Sequence, residues 1–389
     1  MFMQPSVSVS QRGEDRLRGG HLWIYQSDVV TVRASGGDIV ALTGARGRRL
    51  GQALYSDRSQ IALRLLTHGD EPVDAAFWRG RIGAALQFRE QLAIEATAYR
   101  LVHGEGDLLP SLIVDRYGEH LVVQALSQGI DRALPEITAA LVERLAPAGI
   151  LARNDVKVRT LEGLEQKVEV LHGTVPPTVM VREGPIEYEV DPWKGQKTGL
   201  FLDQRENRAA AAAYARGRLL DAFSYNGGFA MRLAATCEEV VAVDISAEAT
   251  ARIAANAARN GCANIEAREA NVFDELRRLE REKERFDTIV LDPPAFAKNK
   301  AAVPKALSGY REINLRALRI LRPGGYLVTC SCSYNVDEAS FAEIVYEAAV
   351  DAQAHVDVVE KRMQGRDHPE LLGVPETYYL KCFILRRVA

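Results

Sequence analysis

The chain has 389 residues, 47% hydrophobic and 26% charged, with a net charge of −3. That length exceeds one ordinary core and predicts two or three domains of roughly 100 to 200 residues each. The composition excludes a disordered or low-complexity chain, and the overall charge gives no signal for a polyanion, so any nucleic acid must be met by local basic surface.

Residues 1–20 are polar and charged, unlike a signal peptide, and no uninterrupted apolar run reaches about 18 residues. Five cysteines without a CxxC pair argue against a disulfide framework or a zinc site. Reduced thiols, no bound metal, no membrane association and a cytoplasmic location are therefore expected.

Residues 6–67 alternate short β-like runs, such as Asp38-Ile39-Val40-Ala41-Leu42, with glycine-rich turns, as a small barrel would. Arginines are dense here. Arg12, Arg46, Arg48 and Arg49, with Trp23 and Tyr25 interleaved, are candidates for an RNA phosphate-contacting face, although a solvated barrel surface accounts equally well for the composition.

Residues 74–94 place Ala76, Phe77, Ile82, Ala85, Leu86 and Leu92 near helical spacing, which predicts an amphipathic helix. A hairpin follows, with strands at 112–115 and 120–124, then a helix over 131–145 and strands near 167–171 and 186–190. This region reads as a small α+β module without recognisable chemistry.

From about Gly217 the pattern becomes strand then helix, repeated: Leu219-Leu220-Asp221-Ala222, Val240-Val241-Ala242-Val243-Asp244, Thr288-Ile289-Val290-Leu291-Asp292 and Tyr326-Leu327-Val328-Thr329. This alternation predicts an α/β, Rossmann-like parallel sheet, in which ligands sit beyond the carboxyl ends of the strands. The first strand runs into Phe223-Ser224-Tyr225-Asn226-Gly227-Gly228-Phe229, where adjacent glycines let the backbone pass close to a ligand.

Asp244, ending the second strand, is suited to accept ribose hydroxyls, while the absence of a strict G-x-G-x-x-G disfavours a dinucleotide and favours S-adenosylmethionine. Asn271, expected after the third strand, is either an adenine contact or a turn residue. The fourth strand ends in Asp292-Pro293-Pro294-Ala295-Phe296. Two prolines must break the strand outward, leaving the Asp292 carboxylate and the Phe296 ring at the sheet's edge for a planar base.

Cys332, in Thr329-Cys330-Ser331-Cys332-Ser333, follows the fifth strand. Carbon 5 of cytosine is scarcely nucleophilic, and thiolate attack at carbon 6 makes it so, with Asp292 stabilising the activated ring. Cys332 is preferred to Cys330, which is expected in the core, because it lies further past the strand end.

Together, His21-Leu22-Trp23-Ile24-Tyr25, the run from Lys197 to Arg205, Phe223 to Phe229, Asp292 to Phe296 and Ser331-Cys332-Ser333 resemble the class I large-subunit ribosomal RNA cytosine-5 methyltransferases with an N-terminal PUA domain. The resemblance implies a PUA-like domain over 1–72, a central α+β domain over 73–192 and a methyltransferase domain over 193–389. It also implies an S-adenosylmethionine cofactor, ribosomal RNA as partner, and Cys332 as nucleophile.

Gln204 and Arg205 are implied near the cofactor's methionine end, and Asp221, Phe223, Tyr225, Gly227, Asp244, Asn271 and Asp292 complete the expected cofactor set. Two departures from the family pattern matter. Ala270-Asn271 stands where relatives often carry an aspartate, and the Asp-Pro-Pro loop has no second cysteine, which leaves the base that takes the carbon 5 proton unassigned. Amino-nitrogen methylation and a non-catalytic RNA-binding assembly factor are the competing readings.

Overall fold

In the computed structural model, which describes residues 4–297 and 299–389, contacts divide the chain into two compact units. The first comprises residues up to 182 together with Val190–Leu202 and Arg366–Thr377. Residues 193–202, expected with the methyltransferase domain, thus pack within the first unit.

That unit holds two sheets with separate cores. A six-stranded sheet runs in the order Trp23–Tyr25, Ile61–His68, Arg49–Tyr55, Ile39–Thr43, Ser6–Val9, Val29–Arg33. Val7, Val9, Ile24, Leu42 and Leu63 fill its interior. It also contains a helix, Gln11–Arg18, which the strand-rich pattern does not announce.

The second sheet has five strands, in the order Lys167–Gly173, Gly149–Asn154, His120–Ala125, Leu112–Tyr117, Ala98–His103. Helices Ala75–Gln91 and Gln128–Leu145 contribute Trp78, Ile82, Ile137 and Leu141 to its core. Asp74 caps the first of these helices through the backbone N–H groups of Ala76 and Phe77. The strand expected near residues 186–190 forms as Ile186–Val190, but all of it up to Glu189 packs within the second unit.

The second unit is built on a seven-stranded sheet: β1 (Arg218–Ala222), β2 (Glu239–Asp244), β3 (Ile265–Glu269), β4 (Phe286–Leu291), β5 (Leu321–Ser331), β6 (Val356–Arg362) and β7 (Lys381–Arg387). The order is β3-β2-β1-β4-β5-β7-β6. The first five strands are parallel, and β7 runs antiparallel between β5 and β6.

β1, β2 and β4 read as continuous apolar runs because helices cover both faces of a parallel sheet. The helices are α1 (Arg205–Ala211), α2 (Gly228–Leu233), α3 (Ala247–Arg259), α4 (Val272–Arg281), α5 (Val303–Ile320) and α6 (Glu338–Asp351). Ser246, Asn271 and Asp337 cap α3, α4 and α6 with their side chains. Those caps fix where each β-to-α loop ends, and so set the rim above the strands. The antiparallel β7 was not foreseen.

Candidate active site

The loop after β1 is held in an unusual conformation. Phe223 and Tyr225 have φ of 64° and 51°, and Gly227, which precedes α2, has φ of 81°. A left-handed non-glycine residue costs on the order of 1–3 kcal/mol and persists only where surrounding contacts impose it. Those contacts are visible: Ser224 N donates to Val243 O at 3.0 Å, and Tyr225 N donates to Asp244 Oδ2 at 2.9 Å. The left-handed φ at Gly227 is what favours glycine there, since the Met231 Cε that a Cβ would approach to 2.9 Å is the end of a flexible side chain.

Asp221 lies beneath this loop, buried. Its Oδ2 accepts from Ser224 Oγ at 2.5 Å and from Ala230 N at 2.9 Å, while Oδ1 is buried without a hydrogen-bond partner. Burial pushes the carboxyl up to about 7 against these two hydrogen bonds, helped by the neighbouring Asp292 and Asp244 charges. Asp244 also accepts from Ser246 N at 3.0 Å. Two carboxylates therefore stand at the ends of adjacent strands, one of them with an unspent buried oxygen.

Asp292 follows β4 directly and accepts from Gln204 Nε2 at 2.7 Å; Gln204 Oε1 accepts in turn from Asn207 Nδ2 at 2.7 Å. Gln204 and Arg205 are both buried at the start of α1. The structure thus ties the Gln204-Arg205 segment to the β4 exit, and Asp292 and Asp244 to the field of Asp221. Phe223 packs edge-on against Phe273 and Phe296.

Cys332 is the first residue past β5. Its Sγ lies 3.7 Å from Pro293 O, so thiol and Asp-Pro-Pro exit are neighbours as expected. The flanking serines are anchored. Ser331 Oγ donates to Tyr310 Oη at 3.1 Å, and Ser333 Oγ shares a 2.9 Å hydrogen bond with the same phenol while accepting from Ala297 N at 3.1 Å. Cys330 is fully buried opposite Cys382 in the β5–β7 register, in accord with its reading as core.

The surroundings of Phe296 and Asn271 are as follows. The Phe296 ring is half-buried, 4.7 Å from the Tyr310 ring of α5 and 6.0 Å from Phe273. Asn271 caps α4, with Oδ1 accepting from Phe273 N at 3.0 Å and Asp274 N at 3.4 Å, which is the turn reading of that residue. In the first unit, Arg46 is exposed, whereas Arg12 pairs with Asp28 at 2.5 Å, Arg48 with Glu14 at 3.3 Å and Arg49 with Asp70 at 2.6 Å.

Sequence reasoning missed Lys381, Tyr310 and Asn207. Lys381 is buried, and its Nζ donates to Ser333 O at 2.8 Å and Tyr379 O at 3.0 Å. Burial pushes its ammonium down to about 8. The one available signal was a lysine inside the otherwise apolar run Tyr379-Leu380-Lys381-Cys382-Phe383. Among the described residues no helix is long and apolar enough to cross a membrane.

Residues 7–68 match the model of a PUA-like domain, and residues 100–386 match that of an S-adenosylmethionine-dependent methyltransferase. A protein of Tolumonas auensis named ribosomal RNA large subunit methyltransferase I is 39% identical over 99% of this chain and 100% of its own length. One of the same name from Vibrio cholerae is 37% identical over 98% and 99%. A methyltransferase structure solved in complex with S-adenosylhomocysteine aligns with a TM-score of 0.86 at 22% identity, covering 98% of this chain and all of the other. A second, from Streptococcus mutans, aligns at 0.84 and 21%, with the same coverage.

The buried, unpartnered Asp221 oxygen fits a cofactor that carries a cationic methionine end. The chain belongs to the S-adenosylmethionine-dependent methyltransferases that carry an N-terminal PUA-like domain, the family of the ribosomal RNA large subunit methyltransferase I proteins.

Proposed function

We propose that this protein methylates carbon 5 of a cytosine in large-subunit ribosomal RNA through a covalent Cys332 adduct. The observation that carries the reading is the Cys332 thiol beside the Asp292–Pro293 exit, 3.7 Å from Pro293 O, in a chain whose relatives are named for the large ribosomal subunit. When bound, S-adenosylmethionine supplies an electrophilic methyl group. Asp221 and the Gln204-Arg205 segment would hold its methionine end, the left-handed turn at Gly227 would shape the loop around it, and Asp244 would take the ribose.

The cytosine leaves its stack, since chemistry on a base edge requires access to it. Cys332 gives its thiol proton to water and its sulfur bonds to carbon 6. The carbon 5–carbon 6 π pair then makes carbon 5 nucleophilic, and Asp292 stabilises the polar edge of the activated ring. Carbon 5 takes the methyl group and loses its proton to a solvent base. The carbon 5–carbon 6 double bond re-forms as the sulfur–carbon 6 bond breaks, and the sulfur leaves with its electron pair.

Cys332→Ala is expected to lower turnover on naked or partly assembled ribosomal RNA by at least about 10³-fold, with cofactor affinity nearly unchanged. Digestion of the product should release 5-methylcytidine. Full activity in Cys332→Ala, or an N-methylated nucleoside, would replace this mechanism with direct attack by an amino nitrogen. Absence of measurable S-adenosylmethionine binding by calorimetry would favour the non-catalytic assembly role.

A further inference from the structure

β5 and β7 are antiparallel neighbours in which Ser331 stands opposite Lys381. This register brings a lysine to the strand end that carries Cys332, and the lysine is enclosed there, with 1% of its surface exposed. A buried ammonium is costly unless charge and hydrogen bonds compensate it. Its hydrogen bonds go to two neutral carbonyls, Ser333 O and Tyr379 O.

The anionic groups whose fields reach it are Cys332, Asp337 and Glu338, in that order of strength. Glu338 is itself engaged by Lys361 Nζ at 2.9 Å and Tyr378 Oη at 2.8 Å, and Asp337 is spent as the cap of α6 on Ser340 N at 2.7 Å. On the other side, the Tyr310 phenol of α5 also faces Cys332. Of the three, Cys332 exerts the strongest field on the ammonium.

We propose that Lys381 is the positioning residue of the nucleophile: its ammonium fixes the Ser333 carbonyl, and with it the Cys332 backbone, while its charge favours the thiolate. A role as the base for the carbon 5 proton fits less well, because the group is enclosed and its donors are committed to carbonyls. The inference rests on the assignment of Cys332 as nucleophile. It makes Cys332 part of a four-point clamp, with Tyr310 holding the flanking serine hydroxyls, Ala297 N holding Ser333 Oγ, and Lys381 holding the Ser333 carbonyl.

The test is the pH dependence of iodoacetamide alkylation at the Cys332 peptide, read by mass spectrometry in wild type, Lys381→Met, Lys381→Gln and Lys381→Arg. Lys381→Gln keeps an N–H donor for the carbonyls without the charge. Loss of a neighbouring cation is expected to move the alkylation midpoint up by about one pH unit in the Met and Gln variants. The same variants should lose about 10-fold in kcat near pH 7 with little change in KM, and Lys381→Arg should retain the wild-type midpoint.

An unmoved midpoint in both Met and Gln variants overturns the electrostatic role. Should Lys381→Met fail to give a wild-type circular dichroism spectrum, Lys381→Gln alone decides. Failure of the nucleophile assignment is separately visible: Cys332→Ala would remain active, while the alkylation midpoint in the Lys381 variants would still report the charge at the thiol.

Discussion

Asp221 is the residue at which burial and chemistry conflict most openly. One carboxylate oxygen accepts two hydrogen bonds and the other is buried with none, and enclosure raises the group to about 7. A buried acid held this high is a stability liability: the folded chain binds its proton more tightly than the unfolded chain, so the contribution of Asp221 to stability falls as pH rises from the ordinary 3.8 to about 7 and is constant above.

A cationic ligand end would reverse that by favouring the carboxylate. Binding of S-adenosylhomocysteine near pH 7 is therefore expected to release a proton. Calorimetry in phosphate and in Tris, whose ionisation enthalpies differ, should then give different apparent binding enthalpies. Asp221→Asn should abolish the difference and weaken binding by about 10-fold or more, the scale expected when a charged partner is lost from a desolvated site. Identical enthalpies in the two buffers for the wild type would mean that the carboxylate is already ionised and that no cation meets it.

At the scale of elements, α4 shows how one side chain can carry two meanings. Asn271 satisfies two otherwise unpaired N–H groups at the helix start, so Asn271→Ala is expected to cost about 1 kcal/mol in chemical denaturation. Serine caps as well as asparagine and lacks the amide N–H₂. Asn271→Ser therefore separates the roles: wild-type stability with unchanged affinity for S-adenosylhomocysteine makes the residue a cap only, whereas wild-type stability with weaker binding adds the adenine contact.

The same element scale explains what could be read from the chain. Strands β1, β2 and β4 were legible because doubly covered strands are uniformly apolar and end in Asp221-Ala222, Asp244 and the Pro293-Pro294 break, so the carboxylates and Cys332 could be placed at one sheet edge from order alone. What β7 does was not legible. An antiparallel insertion between β5 and β6 depends on pairing between segments some 50 residues apart, and period-2 patterning carries no information about partners. Lys381 was hidden for that reason, and the packing of the Phe296 ring was equally unreadable, because proline dictates where a strand stops but not where the following ring comes to rest.

At the scale of the whole molecule, the PUA-like portion, residues 7–68, lies within the first unit, whereas the Asp221, Asp292 and Cys332 constellation lies within the second. With a net charge of −3, the overall charge offers no long-range attraction to RNA, so any RNA capture would rest on local basic surface such as the arginines of the first unit. Arg49 pairs with exposed Asp70, a pair worth about 0–1 kcal/mol that can be exchanged for a phosphate, whereas Arg12 and Arg48 pair with the buried carboxylates of Asp28 and Glu14, and Arg46 is exposed.

Each phosphate contact on single-stranded RNA adds about 0.7 to the slope of log affinity against log salt. Reversing Arg46, Arg48 and Arg49 to glutamate is expected to flatten that slope by about 2 in fluorescence anisotropy on a ribosomal RNA fragment, and to raise KM for the same fragment. Because the substitutions leave the Asp221, Asp292 and Cys332 constellation untouched, kcat at saturating RNA and S-adenosylhomocysteine affinity should hold. An unchanged slope would return these arginines to a solvated surface, and a loss confined to kcat would show that the first unit acts on the chemical step rather than on capture.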